Sequence, residues 1–289
     1  MAMKYYAPTT LDELGGALAH LTEDSKITSG GTDLVIKLNQ GTCEPDALLY
    51  LGGVEGLKEI KENGDAIEIG AAATMTELAA HPLLSGYYAA LAQSADDVGA
   101  AQIRNSATIG GNVANASPAG DLSPVLYLFE AEAVVTGPGG ITRRLPVSKL
   151  LLGPGRTALS YNEAITRFIL PRFEGDWKSA FVKLGFRKKL TISRIGLAIR
   201  IERGGDGIIR KADVVAGAVS IVPVHVEKAE RALIGRKLDG EAARLIGQHL
   251  SDLIMEITPE HFDRDYKVGA AFGVAEDVCA RLYMNERER

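Results

Sequence analysis

QIRNSATIGGNVANASPAGD, residues 102–121, decides how the rest of the chain is read. Between Ile109 and Leu122 it is Gly, Ala, Ser, Asn, Thr and Pro for most of its length, yet it lies between apolar segments. A core segment needs large side chains. So bare a stretch instead fits a place where the backbone itself comes close to something. ITSGGTDL, residues 27–34, repeats the theme. Paired glycines let backbone N–H groups converge on an anion, because no Cβ blocks the approach and positive φ is tolerated. Ser29, Thr32 and Asp33 flank one pair, Thr108 and Asn112 the other. The first pair also opens a helix, whose N-terminus favours phosphate. Either stretch alone reads better as a tight turn at a strand end. Together they point to a diphosphate held from two sides. On that reading Gly110 and Gly111 both serve the ligand, and valine at either should expel it while leaving the fold intact.

Working outward, strands and helices alternate. TLDELGGALAHL places Leu11, Leu14, Leu18 and Leu21 on one helical face, with Thr10 and Glu13 spaced as a capping box. DALLYLGG and AIEIGAAAT read as buried strands. Thr74 and Glu77 make a second capping box, and His81-Pro82 ends that helix. YYAALAQSADDVGAAQI reads as one helix, and AEAVVTGPGGITRRLPV as two strands about a Gly-Pro turn. After AITRFILP the pattern changes. Three antiparallel strands are expected, SAFVKLGFR first, with a hairpin at GGDG, followed by three helices. Strands followed by helices suggest a separate α+β domain, with its boundary near 171–176.

The 289 residues are 46% hydrophobic, with a mean hydropathy of +0.04, enough for a sizeable core in two domains. The net charge of −5 comes without a basic stripe, which argues against nucleic acid. Cys43 and Cys279 match no metal or redox spacing, and a reducing, cytoplasmic home is the natural expectation. The opening residues contain no apolar signal-peptide core, and no apolar run approaches the ~20 residues that span a membrane. GxGxxG, GxxxxGK[ST], GxSxG and HExxH are absent. His20, His81, His225, His249 and His261 show no ligand spacing, so no metal site and no catalytic residue is assigned.

SGGTDL, IRNSATIGGNVANASPAGDLSPVL and FVKLGFRKKLTIS, in this order and spacing, resemble the FAD-binding medium subunit of the molybdenum hydroxylases, the xanthine dehydrogenase family. The resemblance covers nearly the whole chain. It implies an α+β fold: a two-subdomain FAD-binding domain of the vanillyl-alcohol-oxidase (PCMH) type over 1–173, with subdomains of about 1–55 and 56–173. A smaller C-terminal α+β domain over 174–289 would carry the three-stranded antiparallel sheet with its helices. It also implies cofactor contacts. Residues 27–34 (Ile27, Thr28, Ser29, Gly30, Gly31, Thr32, Asp33, Leu34) would hold the diphosphate, mainly through the amides of Ser29 to Asp33. Thr108, Ile109, Gly110, Gly111 and Asn112 would approach from the other subdomain, the Thr108 hydroxyl donating. Gly99 lies at the family position before that loop. Asp121 would bind an adenosine ribose hydroxyl, as a carboxylate suits two neighbouring hydroxyls. Ile165 and Lys183 fall at positions near the flavin ring, and Arg156 near another contacting position. Lys183 reads equally as an exposed strand lysine, and Arg187–Ser193, similar to a loop over the flavin in the family, as a solvated turn.

The implied function is electron transfer. Substrate would be oxidised at a molybdenum-cofactor large subunit, and single electrons would pass through [2Fe–2S] clusters of a small subunit. FAD here would collect them into pairs for an acceptor such as NAD. With two cysteines the chain cannot hold a Cys₄ cluster alone, which disfavours the 4-hydroxybenzoyl-CoA reductase subtype. Two alternatives stand beside this reading. One is a self-sufficient FAD-dependent oxidase or dehydrogenase of the same superfamily, which usually carries a larger C-terminal domain. The other is a cofactor-free assembly subunit. The organic substrate is not encoded in this chain, since the pocket that selects it lies in another polypeptide.

Overall fold

The computed structural model describes residues 3–187, 190–258, 260 and 262–287. Lys188 and Lys189 of the Arg187–Ser193 segment, and His261, lie outside the described residues. The chain forms two compact units. The first comprises residues 1–77, 100–117 and 130–171, and the second 78–99, 118–129 and 172–289.

The first unit contains two principal sheets. Strands Lys4–Tyr6, Ala47–Tyr50 and Lys26–Thr28 lie parallel in that spatial order. The helix Leu11–Leu18 packs on them through Leu14 and Leu18, and with Leu21 just beyond its end these join Leu49, Leu51 and Leu57 in one cluster. Leu11, the first helical residue, is exposed instead. Of the expected capping box only half forms. Thr10 Oγ1 accepts from the Glu13 amide at 3.2 Å, but the Glu13 carboxylate reaches back one residue further, to Thr9 N and Oγ1. The second sheet is antiparallel, in the order Ile60–Asn63, Ala66–Gly70, Ala164–Pro171, Glu132–Thr136, Thr142–Pro146. Its last two strands are the pair expected about the Gly-Pro turn.

Thr74 and Glu77 do form a reciprocal box. The Thr74 amide donates to Glu77 Oε2 at 2.7 Å, and the Glu77 amide donates to Thr74 Oγ1 at 3.2 Å. Losing such a cap costs about 0.5–2 kcal/mol. Thr74→Ala should lower stability by that amount in denaturant titration, whereas Thr74→Ser should stay close to wild type.

In the second unit Trp177–Leu184, Ile195–Arg203 and Ile209–Gly217 pair antiparallel, as expected, and a two-residue strand, Val224–His225, extends the sheet. The GGDG turn closes the hairpin, with Gly204 N donating to Ile208 O at 3.0 Å. Both faces of this sheet are buried, so its strands read as apolar runs rather than alternating ones. One face carries Ala180, Val182, Leu197, Ile199 and Val214 into a cluster with helices Gly240–Ile257 and Arg264–Arg287. The other meets helices Ala89–Asp96 and Leu122–Leu128. The single helix expected across 87–103 is broken. It ends at Asp96 and resumes at Ala101, with Gly99 at φ +48° between. No described helix is long and apolar enough to cross a membrane.

Candidate functional site

The first unit brings the two glycine-rich stretches together. Strand Lys26–Thr28 runs into the 29–33 loop, and the short helix Leu34–Asn39 leaves it. Gly31 turns the loop at φ +71° and accepts from the Val35 amide at 2.9 Å. Gly30 lies so close to the backbone of Ser106 and Ala107 that an added Cβ would sit 2.6 Å from the Ser106 carbonyl carbon. Asn115 Nδ2 donates to Asp33 Oδ1 at 3.3 Å and ties the two segments a second time.

The two stretches differ in what they have left to offer. The backbone N–H groups of Ser29, Gly30, Gly31, Thr32 and Asp33 find no acceptor among the described residues. Unspent amides ahead of a helix start are what an anion requires. In the second stretch the amides are already committed. Ile109 N donates to Ala73 O at 3.0 Å, Gly110 N to Ala71 O at 2.9 Å, Asn112 N to Thr108 O at 2.9 Å, and Gly111 N to Thr108 Oγ1 at 3.2 Å. That last bond makes Thr108 the N-cap of a helix, Ile109–Ala114, where a turn was one reading of the sequence. What remains there is side chain. The Thr108 hydroxyl still has its hydrogen, and Asn112 Oδ1 is buried without a partner. A buried carbonyl oxygen left unpaired calls for a donor from outside the chain.

The glycines themselves need correction. Only Gly31 of the four has positive φ. Gly110 is small because a Cβ there would stand 2.8 Å from both the Cβ and the carbonyl oxygen of Ala71. Gly30 and Gly110 therefore serve packing between backbone segments. Gly111 is exposed, and a Cβ there would meet only Thr108 Oγ1, at 3.1 Å. The partners of TIGGN were visible in the small run AAAT at 71–74, which supplies the Ala71 and Ala73 carbonyls, but nothing in the sequence joined the two.

Elsewhere in the first unit Ile165 is buried on the strand Ala164–Pro171, opposite Val135, at a bulge between Ile165 and Arg167. Arg156 is exposed on a two-stranded turn. That turn is fastened by the Gly155 amide to Ala116 O at 2.9 Å, beyond the end of Ile109–Ala114.

In the second unit Asp121 and Lys183 meet each other. Lys183 is not the exposed strand lysine of the alternative reading. Its ammonium donates to Asp121 Oδ2 at 2.7 Å, Asp97 O at 2.6 Å and Thr191 O at 3.2 Å, which uses all three hydrogens. Ser193 Oγ donates to Asp121 Oδ1. Both side chains of the ion pair are less than a tenth exposed. Burial pushes the Asp121 carboxyl up from the usual carboxylate range, with Lys183 and Ser193 pulling against it. Asp121 occupies the N-cap position of Leu122–Leu128 but caps nothing, because its oxygens are spent sideways. The approach depends on glycine. Lys183 pairs with Gly196 and Gly196 with Gly217 across three strands. Pro124 lies over that row, 2.9 Å from where a Gly217 Cβ would be. Sequence reasoning missed Ser193, Thr191 and the Asp97 carbonyl as partners. Ser193 was in view only as the end of a basic segment.

The Cys279 thiol is pushed up to about 12 by burial and is inert. Among the described residues no cluster of His, Cys, Asp and Glu is placed to hold a metal ion.

Comparison with known proteins gives the family. The family described as "FAD binding domain in molybdopterin dehydrogenase" matches residues 1–173, and "CO dehydrogenase flavoprotein C-terminal domain" matches residues 180–277. The nicotinate dehydrogenase FAD-subunit of Eubacterium barkeri is 33% identical over 276 residues, 94% of this chain and 93% of that one. The carbon monoxide dehydrogenase medium chain of Hydrogenophaga pseudoflava is 26% identical over 93% of this chain and 92% of its own. A solved carbon monoxide dehydrogenase from the same organism, lacking the Mo-pyranopterin moiety of its cofactor, superposes with a TM-score of 0.86 at 26% identity. That match covers 99% of this chain and 98% of the other.

Proposed function

The chain belongs to the FAD-binding family of molybdopterin dehydrogenases and its cofactor is FAD; from that premise we propose that it is the electron-transfer subunit of a multi-subunit molybdenum hydroxylase. Its partners are a molybdenum-cofactor large subunit and a small subunit carrying [2Fe–2S] clusters. Electrons pass from those clusters to an acceptor such as NAD. The observation that carries the cofactor site is the set of unspent amides from Ser29 to Asp33. Those amides would hold the diphosphate, and the Leu34–Asn39 helix start would add its positive end. Asn112 Oδ1 and the Thr108 hydroxyl would supply one acceptor and one donor beside them. FAD, when bound, supplies the conversion between single electrons and electron pairs. This chain's residues bind and orient it. Asp121 toward a ribose hydroxyl and Lys183 toward the ring are parts of the same proposal. Because the Lys183 hydrogens are committed and its charge is paired with Asp121, the two would act there as one buried ion pair and the ammonium would donate no further hydrogen bond.

The test of the cradle is extraction of the bound flavin followed by chromatography. FAD is expected, and recovery of FMN alone would remove the diphosphate argument. The test of the electron path is reconstitution from three purified chains. Substrate should bleach the flavin only when both partners are present. Bleaching by substrate with this chain alone would instead make it a self-sufficient flavoenzyme.

A further inference from the structure

A cleft of about 290 Å³ opens in the second unit, away from the residues discussed above. One wall is His225, Val226, Glu227, Lys228 and Arg231, from the short last strand and the helix Glu227–Leu233. The other is His249, Leu253 and Glu256, three residues on one face of Gly240–Ile257. The volume sits at the lower end of the roughly 300–1,000 Å³ typical of small-molecule sites.

Three of the ionisable groups here, Arg231, Glu227 and His225, already have partners. Arg231 is held by Glu227 at 2.7 Å. His225 Nδ1 lies 2.8 Å from Glu230 Oε1, a carboxylate that also accepts from the Val214 amide. That leaves the Lys228 ammonium and the Glu256 carboxylate. Both line the cleft, yet neither is ion-paired or hydrogen-bonded to any described residue. His249 adds an unmet group of its own. Its Nδ1 is buried without a hydrogen-bond partner, and Asp252 Oδ2 is 3.9 Å away. Val226, which is buried, and the half-buried Leu253 supply the apolar lining. The cleft thus presents one unpaired cation and one unpaired anion over an apolar strip. Both charged side chains are solvent-exposed at the cleft mouth, and their complement is a small ligand that carries the opposite charges.

We infer that this cleft binds a small zwitterion, a molecule of the amino-acid class, whose carboxylate meets Lys228 and whose protonated nitrogen meets Glu256. The site does not depend on the flavin reading, and its test uses no redox activity.

The full-length chain, labelled for NMR at the histidine rings, would be titrated separately with glycine, β-alanine and L-leucine. Acetate serves as a lone anion and methylammonium as a lone cation. At least one zwitterion should shift the His225 and His249 signals saturably, and about tenfold more tightly than either single ion. Lys228→Met and Glu256→Gln keep the side-chain stems, and each should weaken that binding by about tenfold or more with an unchanged melting temperature. No saturable shift with any of the three zwitterions would overturn the assignment. So would acetate or methylammonium binding as tightly as the best zwitterion, or either variant binding like the parent.

Discussion

Gly30→Ala should leave little folded first unit to purify. The new Cβ would lie 2.6 Å from the Ser106 carbonyl carbon and 3.0 Å from Ala107 Cα, and both are backbone. Overpacking usually costs about 1–3 kcal/mol because side chains move aside; here none of the obstructing atoms belongs to a side chain, so the cost should exceed that range. Against a typical total of about 5–15 kcal/mol such a loss is severe. Gly110→Ala should follow it more mildly, since half of its clash is with the Ala71 methyl. Gly111→Ala is the control. It meets one hydroxyl at 3.1 Å, lies within a helix, and should be neutral or better by up to about 1 kcal/mol. Circular dichroism melts of the three variants decide the matter. If Gly30→Ala melts with the parent, the close approach of 29–33 to 106–107 is wrong. If Gly111→Ala is the one that unfolds, the expectation of a ligand-only glycine fails at the one position where it survives.

Asp121→Ala should be the next most damaging change. It removes the only carboxylate bonded to the Lys183 ammonium among the described residues and leaves that charge buried against two carbonyl oxygens. It also strands the Ser193 hydroxyl. Breaking a buried pair from one side costs about 3–5 kcal/mol, well above the loss of one hydrogen bond. Asp121→Ala combined with Lys183→Met removes both charges and should recover much of the loss. A double-mutant cycle in urea reads the coupling directly. Additive losses would mean the pair contributes nothing as a pair. The flavin content of the double variant then reports on the cofactor role of the two residues separately from their structural one.

Much of this was legible because it rests on local rules. The Thr74–Glu77 box, the GGDG hairpin and the paired strands about Gly137-Pro138 are set by residues within a few positions of one another. The 29–33 loop was legible for the same reason: a strand, two glycines and a helix start predict free amides without knowledge of what lies opposite. What could not be read was long-range. Gly30 and Gly110 look like phosphate glycines, and only the placement of Ser106 and Ala71 shows that close packing of backbone segments requires glycine there as well. Lys183 and Asp121 are 62 residues apart, and nothing in either neighbourhood names the other as its partner. Gly196 and Gly217 look like ordinary strand residues until Pro124 is laid across them.

The interleaving of the two units has a consequence for the chain while it is being made. Helices Ala89–Asp96 and Leu122–Leu128 belong to the second unit, and every side chain of Leu122–Leu128 is buried. The sheet they cover begins only at Trp177, about fifty residues after the later helix ends, and is not complete before Gly217. Ribosomes add roughly 5–20 residues per second. For seconds, therefore, Leu122, Val125, Leu126 and Leu128 are without the sheet they cover, with only the helix Ala89–Asp96 of their own unit to pack against. The first unit is being completed by the surrounding segments over the same interval. Nascent chains stalled between residues 130 and 177 should be the species that chaperones hold, and those released beyond Gly217 the ones they let go.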